Sequence, residues 1–146
     1  MRFYNRQHRH YCGIDLHVTM YVYILNATGQ VLVHRNVKAT PAAFLETIAP
    51  YRDDLVVGAE CMFTWYWLAD VCAMEGIAFV LGHALAMKAI HGGKAKNDKI
   101  DSHKIVSLLR GGLCRNLPPT HGWSNACINP RARSSAPAAR RWATCI

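Results

Sequence analysis

A chain of 146 residues, 51% of them apolar and 18% charged, is long enough to bury one core and too short for two large ones. Its formal charge of +8 favours polyanionic partners, nucleic acid or an acidic surface. The longest apolar runs fall well short of the roughly 18 residues a membrane span needs, and Met1 to His10 is polar with no apolar stretch of a signal peptide behind it. The six cysteines form no CxxC pair and no short Cys/His spacing, which argues against zinc or a disulfide framework and predicts reduced thiols in a cytoplasmic protein.

After this polar leader (1–10), Tyr11 to Leu25 alternates apolar and polar residues and is rich in Val, Ile, Tyr and Thr. Strands average about 5–6 residues, so the run predicts two of them with a tight turn near Val18 and Thr19. Asn26 to Gly29 supplies turn chemistry before a third strand, Gln30 to Val37. Thr40 followed by Pro41 then starts a helix, with Phe44, Leu45 and Ile48 on one face. Leu55 to Ala59 is wholly apolar, as expected of a strand covered on both sides, and it ends at Glu60. Thr64 to Glu75 reads as a helix closed by Gly76, and Ile77 to Leu81 as another buried strand, so the connection is a parallel crossover.

A short helix is expected over Ala84 to Ile90, and a lysine-rich connection leads to Asp98, where a helix running to Arg110 is stopped by Gly111 and Gly112. From Pro118 to Ile146 the chain is Pro, Arg, Ala, Ser and Asn without periodicity, and no element is expected there. The expected organisation is a leader, one α/β domain over 11–117 and an irregular basic tail over 118–146. Three antiparallel strands followed by an α/β crossover is the order of an RNase H-like, RuvC-like domain: a five-stranded mixed sheet flanked by helices.

The acids fall where such a fold would use them. Asp15 interrupts an otherwise apolar strand, Glu60 sits at a strand exit, and Asp98 and Asp101 are three apart at a helix start and so share a face. Asp98 and Asp101 are also the only acids after Glu75, set among Lys88, Lys94, Lys96, Lys99 and Lys104. Unit charges about 4 Å apart repel by roughly 4 kcal/mol at an effective dielectric near 20, so carboxylates gathered in one pocket call for cations. Magnesium is hard and takes oxygen ligands, and two such ions can serve an in-line phosphoryl transfer. Each acid has a plainer explanation as well. Asp98 and Asp101 suit any helix N-terminus through its dipole, and Glu60 could be a loop carboxylate. Asp15, between Ile14 and Leu16, is poorly placed for mere solubility.

At these residues the stretch Tyr11 to Pro119 resembles the N-terminal RuvC-like domain of the DEDD transposases of the insertion sequence 110 family. The resemblance is carried by Gly13-Ile14-Asp15-Leu16-His17, by Glu60 closing its strand, and by the block Gly93 to Leu113. It implies that Asp15, Glu60, Asp98 and Asp101 bind two Mg2+ or Mn2+ ions in a DNA recombinase that moves its own element. It also implies element-end and target DNA as partners, a structured guide RNA as in studied relatives, and room for a homo-oligomer. Members of the family continue into a domain that supplies a catalytic serine. Here the pattern is left soon after Pro119, and the composition beyond looks like a shifted reading frame, so Ser124, Ser134 and Ser135 are not taken as nucleophiles.

Lys94, Lys96 and Lys99 could hold nucleic-acid phosphates or form a solvated loop. His17 lies on the same strand face as Asp15, beside the metal site or simply satisfied there. Phe63, Trp65, Tyr66 and Trp67 suit helix packing better than base stacking. Two readings compete with the transposase: a Holliday-junction-resolvase-like endonuclease using the same acids, and an inactive nucleic-acid-binding remnant.

Overall fold

A computed structural model describes residues 2–60, 65–82 and 98–116 of the chain. The expected meander is there, preceded by a two-residue strand, β1 (Arg2–Phe3), in the segment read from sequence as a leader. β2 is His10–Leu16, β3 is Thr19–Asn26 and β4 is Val31–Lys38. The β2–β3 turn is tight: the His17 amide donates to the Thr19 carbonyl at 2.9 Å and Val18 projects into solvent, 96% exposed. Between β3 and β4 the Asn26 side chain accepts from the Gln30 amide at 2.8 Å, and Gly29 supplies the positive φ of +89° that the turn requires.

Thr40 caps α1 (Pro41–Ile48), its hydroxyl oxygen accepting from the Ala43 amide, with proline in the first turn where its missing N–H costs nothing. β5 is Leu55–Glu60, α2 is Tyr66–Met74 and β6 is Ala78–Gly82. The second helix ends at Met74, and Gly76, at φ +67°, lets the Ile77 amide turn back to the Cys72 carbonyl at 2.8 Å; the expected start at Thr64 lies outside the described residues. α3 is Asp98–Arg110, closed by Gly112 at φ +69° with Gly112 and Leu113 amides returning to Leu109 and Leu108. β7 is Arg115–Asn116. The helix expected over Ala84 to Ile90 and the tail from Pro118 lie outside the described residues.

The strands form one sheet in the order β1-β7-β6-β5-β2-β3-β4. Five long strands, β4-β3-β2-β5-β6, make the expected mixed sheet, antiparallel across β2, β3 and β4 and parallel across β2, β5 and β6. The short β7 and β1 extend it beyond β6. Alternation along the strands divides the core in two. On one face Cys12, Ile14, Val57 and Ala59 pack with Phe44 and Ile48 of α1 and Leu68 and Val71 of α2. On the other, Tyr11, Val56 and Val80 pack with Val106 and Leu109 of α3. Central strands covered on both sides are apolar throughout, which is why Leu55 to Ala59 shows no alternation.

Candidate metal-binding carboxylate site

Register decides where the acids go. β2 and β5 are parallel neighbours paired from His10 with Leu55 to Ile14 with Ala59, so Asp15 and Glu60 each follow directly on the last pair of that ladder. Both belong to the face that α3 covers, because Gly13 and Gly58, two residues earlier in each strand, lie directly under that helix. A Cβ on Gly13 would sit 2.4 Å from the Ser102 carbonyl oxygen and 2.6 Å from the Val106 nitrogen; one on Gly58 would sit 3.0 Å from Leu109 Cδ2. The missing side chains let α3 lie close on the sheet.

The direction of α3 follows from its C-terminal end. Arg110, its last residue, donates to the Ala27 carbonyl at 3.2 Å in the β3–β4 turn, next to the start of β2, whereas Ser102 lies over Gly13, so the helix runs with its N-terminus toward the ends of β2 and β5 that carry Asp15 and Glu60. Asp98 is its first residue and Asp101 lies one turn in. The fold therefore brings Asp15, Glu60 and the Asp98/Asp101 helix start to one end of one face. Asp15 is buried, 3% exposed, and Glu60 is half-buried. The Asp98 side chain lies outside the described residues, as do Lys94, Lys96 and the Lys99 side chain.

Two of the carboxylates are engaged. His17 Nε2 lies 3.2 Å from Asp15 Oδ1, and Lys104 Nζ donates to Asp101 Oδ1 at 3.2 Å. Among the described residues no three His, Cys, Asp or Glu side chains converge closely enough to hold an ion. The donor set still suits a hard divalent cation, because it is all carboxylate oxygen. Ligation would require Asp101 to exchange Lys104 for metal. A cleft of about 270 Å³ lies on the other face, between β4 and α1, lined by Val33, Arg35, Glu46 and Tyr51 among others. It is remote from these acids.

The other end of the sheet holds a polar cluster that the sequence did not signal. Buried His8 bonds through Nδ1 to Asp54 Oδ1 at 2.7 Å and through Nε2 to the Tyr4 hydroxyl at 2.5 Å, while its amide donates to the Tyr11 hydroxyl at 2.8 Å. The His8 hydrogen bond, helped by the Arg9 amide, holds the Asp54 carboxyl below the usual carboxylate range. Burial pushes the Tyr4 phenol up. Positive φ at Asp54, +52°, is a conformation aspartate tolerates better than most residues. Of the aromatic group, Trp67 packs against the core and Trp65 lies on Tyr66 and near Phe79; Phe63 is outside the described residues.

A mixed sheet in this order, with a helix laid over its central strands and acids at the strand ends, is an RNase H-like fold of the RuvC type. The solved structure of Thermus thermophilus RuvC matches it with a TM-score of 0.55 at 16% sequence identity, over 74% of this chain and 99% of that one. Identity that low establishes the fold alone. The sequence matches the family described as Transposase, the DEDD transposases of the insertion sequence 110 type, over residues 12–126, and the chain belongs to that family. The match runs a few residues past Pro119. No relative is found among curated proteins. Among the described residues no helix is long and apolar enough to cross a membrane.

Proposed function

We propose that this chain is the catalytic domain of a transposase in which Asp15, Glu60, Asp98 and Asp101 bind divalent cations for phosphodiester cleavage and strand transfer on DNA. The observation that supports this is the parallel pairing of β2 with β5 through Ile14 and Ala59, the residues just before Asp15 and Glu60, on the face covered by the helix that begins at Asp98. Two Mg2+ or Mn2+ ions, when bound, would supply activation of the attacking oxygen and stabilisation of the leaving one. The protein's own contribution is placement. Asp15 offers carboxylate oxygen from a rigid central strand, with His17 orienting it at 3.2 Å. Glu60 does so from the neighbouring strand end. Asp98 and Asp101 offer theirs from the first turn of a helix.

Lys94, Lys96 and Lys99 are proposed phosphate contacts that set the strand without reading its sequence. Element ends and target DNA are the proposed substrates. A guide RNA and a homo-oligomer come with the family reading, as does a cytoplasmic site of action, where free Cys12, Cys72 and Cys114 would stay reduced. A junction-resolving endonuclease would use the same acids and is favoured by the RuvC likeness in fold; the transposase family match ranks it second.

Manganese binding, followed by calorimetry or by the loss of free-ion electron paramagnetic signal, tests the site. The wild-type chain should take up Mn2+, and Asp15→Asn should weaken uptake by at least about tenfold, the usual cost of losing a charged ligand or its support. A wild-type chain that takes up no divalent ion would remove the metal-dependent reading.

A further inference from the structure

The face that carries the acids also carries a row of rings. Register sets Tyr21 directly opposite Asp15 and Tyr23 opposite Gly13; one strand further out, His34 lies opposite Tyr23. Opposed residues in an antiparallel pair have Cα atoms about 4.5–5.5 Å apart, so the row begins immediately beside the candidate site. The rings form a continuous series: Tyr21 to His34 centroids are 5.2 Å apart, His34 to Tyr23 4.6 Å, and Tyr23 to His103 of α3 4.9 Å. Helix α3 lies mainly over β2 and also touches β3, yet the outer rings of this row stay partly exposed. Tyr21, Tyr23 and His34 are half-buried and His103 is exposed.

Core packing accounts for only part of this. Tyr23 packs against the buried cluster under α3, whereas Tyr21 belongs to neither buried cluster and His103 points to solvent. The chain as a whole carries +8. Partly exposed rings in a basic setting suit the bases of a nucleic-acid strand, because every base has a face to stack and a phosphate to neutralise.

Resting on the carboxylate reading above, we propose that Tyr21, His34, Tyr23 and His103 form a stacking platform for unpaired bases of the DNA strand whose phosphate lies at the acids. The platform orders the bases flanking that phosphate and is tolerant of their identity. It works without metal, since stacking and ligation use different side chains.

The test uses the full chain and a short single-stranded DNA carrying 2-aminopurine, in EDTA. Wild type should quench the fluorophore by stacking. Tyr21→Ala combined with His103→Ala should weaken binding by about fivefold or more, while Tyr21→Phe, which keeps the ring, should bind like wild type. Replacing the probe's central bases with abasic sites should weaken wild-type binding by about fivefold or more. That last comparison needs no variant, so it holds even if the double variant misfolds. Equal affinity of wild type for intact and abasic strands would overturn the proposal, as would tighter capture of an RNA of the same sequence. Because metal is absent throughout, a chain that fails to bind Mn2+ yet discriminates abasic DNA would sink the carboxylate reading and leave the platform standing.

Discussion

Lys104 and His17 engage two of the three described carboxylates proposed to ligate an ion, and they do so in different ways. His17 approaches Asp15 Oδ1 with a side chain 45% exposed, beside a carboxylate buried to 4% exposure. Lys104 bridges Asp101 one turn along α3, with both partners partly exposed, so the pair contributes at most about 0.5–1 kcal/mol. A cation arriving at Asp101 has to displace that ammonium and sit near its charge. Lys104→Gln removes the competitor while leaving the helix and the carboxylate in place. Manganese affinity should therefore tighten about two- to fivefold in Lys104→Gln, the same 0.5–1 kcal/mol read as a binding ratio. An unchanged or weaker affinity would mean that Asp101 is not a ligand.

At the scale of elements, the sequence discloses more about which segments are strands and helices than about how they meet. Alternation in Tyr11 to Leu25, the apolar run Leu55 to Ala59 and the Thr40-Pro41 start are local signals, and the corresponding strands and helix sit within a residue or so of expectation. Asp15 and Glu60 were legible as acids on apolar strands, but the pairing of Ile14 with Ala59 just before them was not, since register depends on the partner strand. For the same reason nothing in the sequence announced the Tyr21–His34–Tyr23–His103 row, whose members lie on three separate elements. The pairing of β1 with β7, and the burial of His8 beside Asp54, also join residues too distant for any local pattern. Gly13 belongs to the recognisable strand motif, yet only the packing shows its use. Gly13→Ala would drive a methyl into the backbone of α3 at Ser102 and Val106, and neither atom is the end of a flexible side chain. The helix must move outward, at a cost of about 1–3 kcal/mol for overpacking. Denaturant unfolding should show that loss, and manganese affinity should fall with it because Asp98 and Asp101 travel with the helix. A variant as stable as wild type would mean that α3 does not lie so close on β2.

Charge acts on the whole molecule. The total is +8, and it is not spread evenly: Asp98 and Asp101 are the only acids beyond Glu75, and the chain from Arg115 onward contains arginines and no acid. Several bases elsewhere are already committed, Arg9 to Asp53, Arg52 to Glu75 and Lys104 to Asp101, whereas Arg35 and Lys38 on β4 form no ion pair among the described residues. Ion-paired bases contribute little to binding a polyanion, so the affinity for DNA should come from a small number of uncommitted lysines and arginines displacing counterions. With about four phosphate contacts, the logarithm of the binding constant should fall with the logarithm of salt at a slope near −3 to −4, roughly a hundredfold loss between 50 and 200 mM. Filter binding or fluorescence anisotropy over that range measures it directly. Asp15→Asn should leave the slope unchanged, because it removes a proposed metal ligand and no phosphate contact. A slope shallower than −1 would mean that the basic excess does not face DNA, and with it would go the lysines proposed to position the strand at the acids.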